Sequence, residues 1–295
     1  MSEVGVDIYP ESAEKKTVIG IVGMGIVGEA VFEGLQTKGH QVMVNDVRDI
    51  PYHIHTLDEL AEECGVIFIC VPTPKREDGS CDLSIVYEVF NQLHFRIAQL
   101  MKGDEYIPPV IAIKSTTIPG TVDSMSPMYP FVCSNPEFMT EKNALKDFLN
   151  PDRIIIGAKN RTVITKMKEV FSGFEAPVII TSPTEAEVIK YMSNSYLLTK
   201  VAFAQEISKV CQMLRIDAKT VYKGITADKR INPNHLDPTI GPVSLHTPCL
   251  SKDLLALIIQ LEKSGYDSTF LKSAYVNAVD GTMLVPMLKI KEVVR

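Results

Sequence analysis

Between Thr17 and about Ile180, short runs of β-branched and other apolar residues alternate with longer segments in which apolar positions recur every three or four residues. The runs are TVIGIV (17–22), QVMVN (41–45), VIFICV (66–71), VIAIKS (110–115), FVCS (131–134), RIIIG (153–157) and PVIIT (177–181). They are near-continuously apolar, which is the pattern of strands covered on both faces. Separated by helices, such strands predict a mostly parallel, doubly wound sheet of the Rossmann-like α/β class.

The pattern changes at Ser182. SPTEAEVIKYMSNSYLLTKVAFAQEISKVCQMLRID reads as one helix of roughly 30 residues, about 45 Å long. Ser182, Pro183 and Glu185 supply an N-cap, a first-turn proline and an acid placed to close a capping box. Two shorter helices are predicted near 218–227 and 250–263, separated by the proline- and asparagine-rich loop RINPNHLDPTIGPVSLHTP (230–248). The expected organisation is a polar segment at 1–16, a dinucleotide-binding domain at 17–182, and a helical domain built on the long helix at 183–295.

Composition narrows the function. The 295 residues carry a net charge of −6 and no long basic run, so nucleic acid is not an expected partner. Six cysteines are scattered without a CxxC pair or metal-like spacing, so no metal is expected, and reduced thiols suit a cytoplasmic setting. The N-terminus lacks a signal-peptide core, and VIGIVGMGIVG is too short and glycine-rich to span a bilayer, so no membrane association is expected.

Chemistry first appears at Gly23-Met24-Gly25-Ile26-Val27-Gly28, a GxGxxG that follows a strand and opens a helix. In that context the glycines allow a tight turn, and the backbone N–H groups at the helix start can meet a pyrophosphate. Asp46 ends the next strand, where its carboxylate can bond the ribose hydroxyls and favour NAD by repelling a 2′-phosphate. Arg48, two residues on, keeps NADP open as an alternative.

Further segments appear in order: FICVPTP (68–74), GSCDLS (79–84), KSTTIPGT (114–121), SNPEF (134–138), NPDRIIIG (150–157), AEVIKYMSNSYL (186–197) and CLSKD (249–253). In series the chain resembles the UDP-glucose/GDP-mannose dehydrogenase family, from about Thr17 to about Leu257. The resemblance implies NAD-dependent, four-electron oxidation of the C6 alcohol of a nucleotide sugar to a carboxylate through a covalent cysteine intermediate. It also implies a role in supplying acidic sugars for polysaccharide.

Lys190 and Asn194 share a helix face and could grip a substrate hydroxyl and the alkoxide it becomes; the alternative is a solvated face. The resemblance puts both at the sugar carbon being oxidised. Cys249 and Asp253 stand four apart if Thr247–Pro248 begin a helix, and a thiol there beside Lys252 is expected to hold more thiolate. An aldehyde can give a second hydride only after something adds to its carbonyl, and a thiolate does so by forming a thiohemiacetal that can be oxidised to a thioester. The competing reading is a buried, inert sulfur. Cys64, Cys81 and Cys133 lack lysine–aspartate company in the sequence; Cys70 falls in an apolar strand and Cys211 in the long helix.

For hydrolysis of the thioester the resemblance designates Thr116 and Glu137, with Asp253 helping to hold the water. It places Thr73, Pro74, Thr116, Glu141 and Lys252 toward the cofactor, and Glu137, Phe138, Glu141, Lys190 and Asn194 toward the sugar. Arg230 resembles an arginine that reaches the substrate of a neighbouring subunit, which implies a homodimer packed through the long helix. Read without the family, SNPE is equally a capped turn and Arg230 a surface arginine.

Two features depart from the pattern. GPVSLHTPC replaces the glycine-rich loop expected before the cysteine, with His246 and Pro248 in its place. The family's C-terminal nucleotide-binding domain has no counterpart before Arg295, so the expectation is a chain without it. Two alternatives remain: a β-hydroxyacid dehydrogenase of the 6-phosphogluconate type, making one hydride transfer without a cysteine, and a non-catalytic NAD-binding paralogue.

Overall fold

All seven apolar runs form strands: β1 (Ile19–Val22), β2 (Val42–Asn45), β3 (Val66–Ile69), β4 (Val110–Ile113), β5 (Val132–Ser134), β6 (Ile154–Gly157) and β7 (Val178–Thr181). The computed structural model describes residues 17–102, 105–237 and 248–279. The strands make one sheet in the order β2-β1-β3-β4-β5-β6-β7. Each neighbouring pair is parallel except β5 with β6, which meet antiparallel at Ser134 and Gly157. β1, β3, β4 and β6 are buried along their whole length, as continuous apolar runs demand. β7 differs: it pairs on one side only, and Ile179 and Ile180 are exposed.

Helices α1 (Ile26–Thr37), α2 (Leu57–Glu63), α3 (Ser84–Leu100), α4 (Thr121–Met125), α5 (Ala144–Leu149) and α6 (Arg161–Val170) connect these strands. Val31, Leu35, Leu60, Phe90, Leu93, Ile97 and Met167 from these helices join the strand side chains in one core. At β1 the order reverses, with β2 on one side and β3 on the other. In open α/β sheets, ligands bind outside the carboxyl ends of strands at such a switch point.

The long helix is α7 (Pro183–Leu214). Ser182 N–H donates to Glu185 Oε2 at 2.7 Å, and Glu185 N–H donates back to Ser182 Oγ at 3.3 Å, so the capping box forms. α8 (Ala218–Thr226), α9 (Pro248–Lys263) and α10 (Thr269–Ala278) follow. α9 starts at Pro248, a residue suited to a first helical turn; Thr247, its expected cap, and His246 lie outside the described residues. α10 was not legible in the sequence.

The chain divides into two compact units. Among the described residues, one holds those up to Pro74 together with Asp82–Lys190, and the other holds Lys75–Cys81 together with those from Tyr191 onward. The second unit has its own core, with Leu198 from α7, Leu254 and Ile258 from α9, and Ala278 from α10 all buried. The excursion at 75–81 is a tight turn closed by a Lys75–Cys81 bridge. Its tip, Gly79, has φ +86° and sits so close to α9 that a Cβ would come within 2.8 Å of Leu255 Cδ2. Only glycine meets both demands.

Candidate active site

In the first unit, the candidate residues leave the sheet at one edge. Gly23–Gly28 follow β1, Asp46 follows β2, Thr73 and Pro74 follow β3, Thr116 follows β4, and Glu137 and Phe138 follow β5. These five strands run parallel, so every one of those positions lies beyond a carboxyl end.

The three motif glycines answer to different constraints. Gly23 has φ +94°, and a Cβ on Gly28 would come within 1.9 Å of the Gly23 carbonyl oxygen, so these two are required by the turn itself. A Cβ on Gly25 would meet nothing within 4 Å, and its φ of −82° is open to any residue. The protein's own packing therefore gives no reason for glycine at 25; close approach of a ligand to this backbone does. Gly25 is also the N-cap of α1 and offers no side chain to the amides at Ile26, Val27 and Gly28, as a pyrophosphate site needs. The turn fits a dinucleotide.

Asp46 Oδ2 accepts the Met24 N–H at 2.7 Å and pins the glycine turn to β2. Arg48 bonds both oxygens of Asp46, through Nε at 2.9 Å and Nη2 at 2.9 Å, and reaches the Met24 carbonyl at 2.7 Å. The Arg48 guanidinium holds the Asp46 carboxyl far below the usual carboxylate range. The acid is thus a fixed anion at the end of β2, the position at which a carboxylate favours NAD over a 2′-phosphate, while Arg48 is committed to its neighbours.

Glu137 and Lys190 meet directly. Lys190 Nζ donates to Glu137 Oε1 at 2.8 Å, with the lysine side chain 6% and the glutamate side chain 15% exposed. The other carboxylate oxygen accepts the Met139 N–H at 2.7 Å. Phe138 lies beneath this pair, its ring centroid 5.6 Å from Lys190 Nζ and 3.9 Å from the Arg153 guanidinium carbon. Thr116 and Thr73 are half-buried, whereas Pro74 and Glu141 are exposed, the latter opening a short 3-10 turn at Glu141–Asn143.

In the second unit, Asn194 Nδ2 donates to Asp253 Oδ2 at 2.7 Å, and Lys252 Nζ donates to Asp253 Oδ1 at 2.7 Å. Asp253 is 2% exposed, so both partners are needed to hold its charge. Burial works against the Lys252 charge, but the adjacent, hydrogen-bonded Asp253, with Cys81 and Cys249 nearby, outweighs it and the lysine pKa is raised. Cys249 is exposed in the first turn of α9, one turn before both residues. Arg230 is exposed beyond α8, its guanidinium held by Asp228 at 2.5 Å.

The remaining cysteines behave as packing. Cys64, Cys70, Cys81, Cys133 and Cys211 are all buried, and burial pushes the thiols of Cys64, Cys70 and Cys133 up to about 12. The expectation that Cys64, Cys81 and Cys133 lack lysine company needs correction for two of them: the excursion at 75–81 brings Cys81 close enough to Lys252 to support that lysine's charge, and buried Cys133 lies close enough to Lys114 to feel its charge.

Three buried polar residues escaped the sequence reading. Lys114, wholly enclosed, donates to Asn135 Oδ1 at 3.0 Å and lies 5.8–6.0 Å from the ring centroids of Phe68, Phe148 and Phe171. Burial lowers its pKa to about 8. Asn135 extends the link by donating to the Ile155 carbonyl at 2.7 Å, which ties β5 to its antiparallel neighbour β6. Glu187, on α7, accepts from Thr117 and from the Gly120 and Val122 amides. The signal was present in KSTT, SNPEF and AEVIK, but the partners lie too far apart in sequence to be matched.

Among the described residues no group of three or more histidines, cysteines or acids could hold a metal, and no helix is long and apolar enough to cross a membrane.

The NAD-binding domain model of the UDP-glucose/GDP-mannose dehydrogenase family matches residues 51–175, and that family's central domain matches 184–278. A UDP-glucose 6-dehydrogenase from Rickettsia bellii is 37% identical over 225 residues, covering 73% of this chain and 49% of its own length. The chain thus spans about half of that relative. UDP-glucose 6-dehydrogenase YwqF of Bacillus subtilis is 30% identical over 90% of this chain and 67% of its own length. Among solved structures, a UDP-glucose dehydrogenase from Pyrobaculum islandicum superposes with a TM-score of 0.80 at 27% identity, over 92% of this chain and 69% of that one. The NAD-binding match begins after the glycine turn, so that turn is assigned on its own geometry. With one domain match in the sheet and another across α7–α10, the chain belongs to the UDP-glucose/GDP-mannose dehydrogenase family.

Proposed function

We propose that this chain carries the NAD-dependent, four-electron oxidation of a nucleotide sugar, UDP-glucose or a close relative, from C6 alcohol to uronic acid. NAD binding is assigned to residues 17–182; the thiol and the dimer contact are assigned to 183–295. The observation that carries the reading is the pairing of Lys190 with Glu137 in one unit, alongside the Asn194–Asp253–Lys252 network one turn from an exposed Cys249 in the other.

In this scheme Lys190 and Asn194 hold the substrate oxygen and stabilise the alkoxide. Each oxidation would pass one hydride to one bound NAD, so two NAD would be used in turn per sugar. The Cys249 thiolate adds to the aldehyde carbon, forming the C–S bond of a thiohemiacetal, and the second oxidation leaves a thioester. Water then attacks the acyl carbon. Glu137 takes its proton, Thr116 and Asp253 orient it, and the C–S bond breaks to return the thiol. Lys252 supports the charge on Asp253 throughout. Glu141 and Phe138 border the sugar, and Thr73 and Pro74 the cofactor.

The chain is further proposed to act as a homodimer in the cytoplasm. Met192, Tyr196, Phe203, Val210, Met213 and Leu214 are all exposed and recur at helical spacing along one face of α7. An exposed apolar stripe of this kind, broken by Thr199 and Glu206, suits a second copy of the same helix, and Arg230 would then serve the partner's substrate.

The test is product identification. Nucleotide sugars supplied with NAD should yield the uronic acid; turnover of β-hydroxyacids alone would favour the single-hydride alternative, and turnover of neither the non-catalytic one.

A further inference from the structure

The first three turns of α7 are gripped at successive one-turn intervals. Thr184 Oγ1 donates to Asp123 Oδ2 at 2.5 Å. Glu187 accepts from the turn at 117–122, and Lys190 bonds Glu137. The middle contact is the densest. Glu187 Oε1 accepts the Val122 N–H at 2.9 Å and the Thr117 hydroxyl at 3.1 Å, while Oε2 accepts the Gly120 N–H at 2.6 Å. Glu187 is 1% exposed. Gly120 turns its amide inward through a left-handed φ of +95°. A carboxyl taken this far out of water is costly unless every bond is made, and here three donors converge on it.

The placement matters more than the burial. All three donors belong to the segment that directly follows Thr116, and Glu187 precedes Lys190 by one helical turn. We infer that Glu187 is a positioning residue for the proposed reaction: it locks the Thr116 segment to the helix that presents Lys190, so that the two move as one piece. This deepens the proposed function and rests on it for its catalytic meaning; the mechanical link stands apart from it. Only a carboxylate satisfies the geometry, since glutamine would turn an NH2 toward one of the two amide donors.

The test uses Glu187→Gln and Glu187→Asp in the full chain, with two readouts. With nucleotide sugar and saturating NAD, Glu187→Gln should lower kcat at least about tenfold while the NAD Kd changes less than about twofold, because a small displacement of reacting groups is expensive. Glu187→Asp, which keeps both acceptors on a shorter arm, should recover part of the rate. The second readout is amide exchange, which needs no activity. Glu187→Gln should lose protection at Gly120 and Val122, and also at Met139, whose N–H reports on the Glu137–Lys190 pair. Lost protection at all three in a chain inactive on every sugar would refute the proposed function and leave the link standing. Protection lost at 120 and 122 alone, with kcat unchanged, would reduce Glu187 to local packing and overturn the inference. A Glu187→Gln chain too unstable to assay passes the question to Glu187→Asp, for which wild-type kcat and Met139 protection would overturn it.

Discussion

Lys190 Nζ and Glu137 Oε1 stand 2.8 Å apart, although the two residues are separated by 53 positions in sequence. The contact joins the base proposed for thioester hydrolysis to the cation proposed for alcohol oxidation. Both carboxylate oxygens of Glu137 are occupied, one by Lys190 and one by the Met139 amide, which fixes the direction from which it can take a proton. Glu137→Gln keeps the size and removes the base. It should slow hydrolysis more than oxidation, so a covalent sugar adduct should accumulate on the protein, visible in intact mass spectra. Normal turnover without an adduct would remove Glu137 from this role.

The glycine turn gives a prediction that separates folding from binding. Gly28→Ala must push against the Gly23 carbonyl and should lower the unfolding midpoint clearly, by on the order of 1–3 kcal/mol of stability. Gly25→Ala meets no protein atom. It should leave thermal stability unchanged and weaken NAD binding at least about tenfold, or roughly 1.4 kcal/mol. Calorimetry on both variants with and without NAD checks this; equal NAD affinity in Gly25→Ala would deny that the pyrophosphate approaches there.

Lys114 makes stability depend on alkaline pH. Its pKa is about 8 in the folded chain against an ordinary 10.5, so between those values the unfolded chain binds more protons than the folded one. Stability from this group therefore rises as pH increases from about 8 to about 10.5, by on the order of 3 kcal/mol at most. Denaturant titrations of wild type and Lys114→Met across that window should show the rise in the first and its loss in the second.

The stripe along α7 predicts self-association. Wild-type protein should sediment as a dimer, and Phe203→Glu, which puts a charge in the middle of the stripe, should sediment as a monomer. A monomeric wild type would leave Arg230 without a partner's substrate to reach.

Much of the fold could be read from local pattern. The strands were legible because each is a continuous apolar run, and α7 because Ser182 and Glu185 announce its start. The reversed pairing of β5 with β6 was not, since direction is set by where the chain returns after α5, and RIIIG reads the same either way. α10 was missed for lack of a distinctive repeat in TFLKSAYVNA. The excursion at 75–81 has too few residues for any periodicity, so its seat on α9, and with it the approach of Cys81 to Lys252, had no local signal. The candidate site divides along the same line: GxGxxG, Lys190, Asn194 and Cys249 stood out by motif, whereas Glu187 and Lys114 acquire meaning only from partners distant in sequence.

Whether Cys249 is the nucleophile is read most directly from the number of NADH formed per sugar acid in wild type, Cys249→Ser and Cys81→Ser. Two are expected in wild type and in Cys81→Ser, with no acid from Cys249→Ser even though that variant still binds NAD. One NADH per oxidised product in wild type, or undiminished acid from Cys249→Ser, would remove Cys249 from this role.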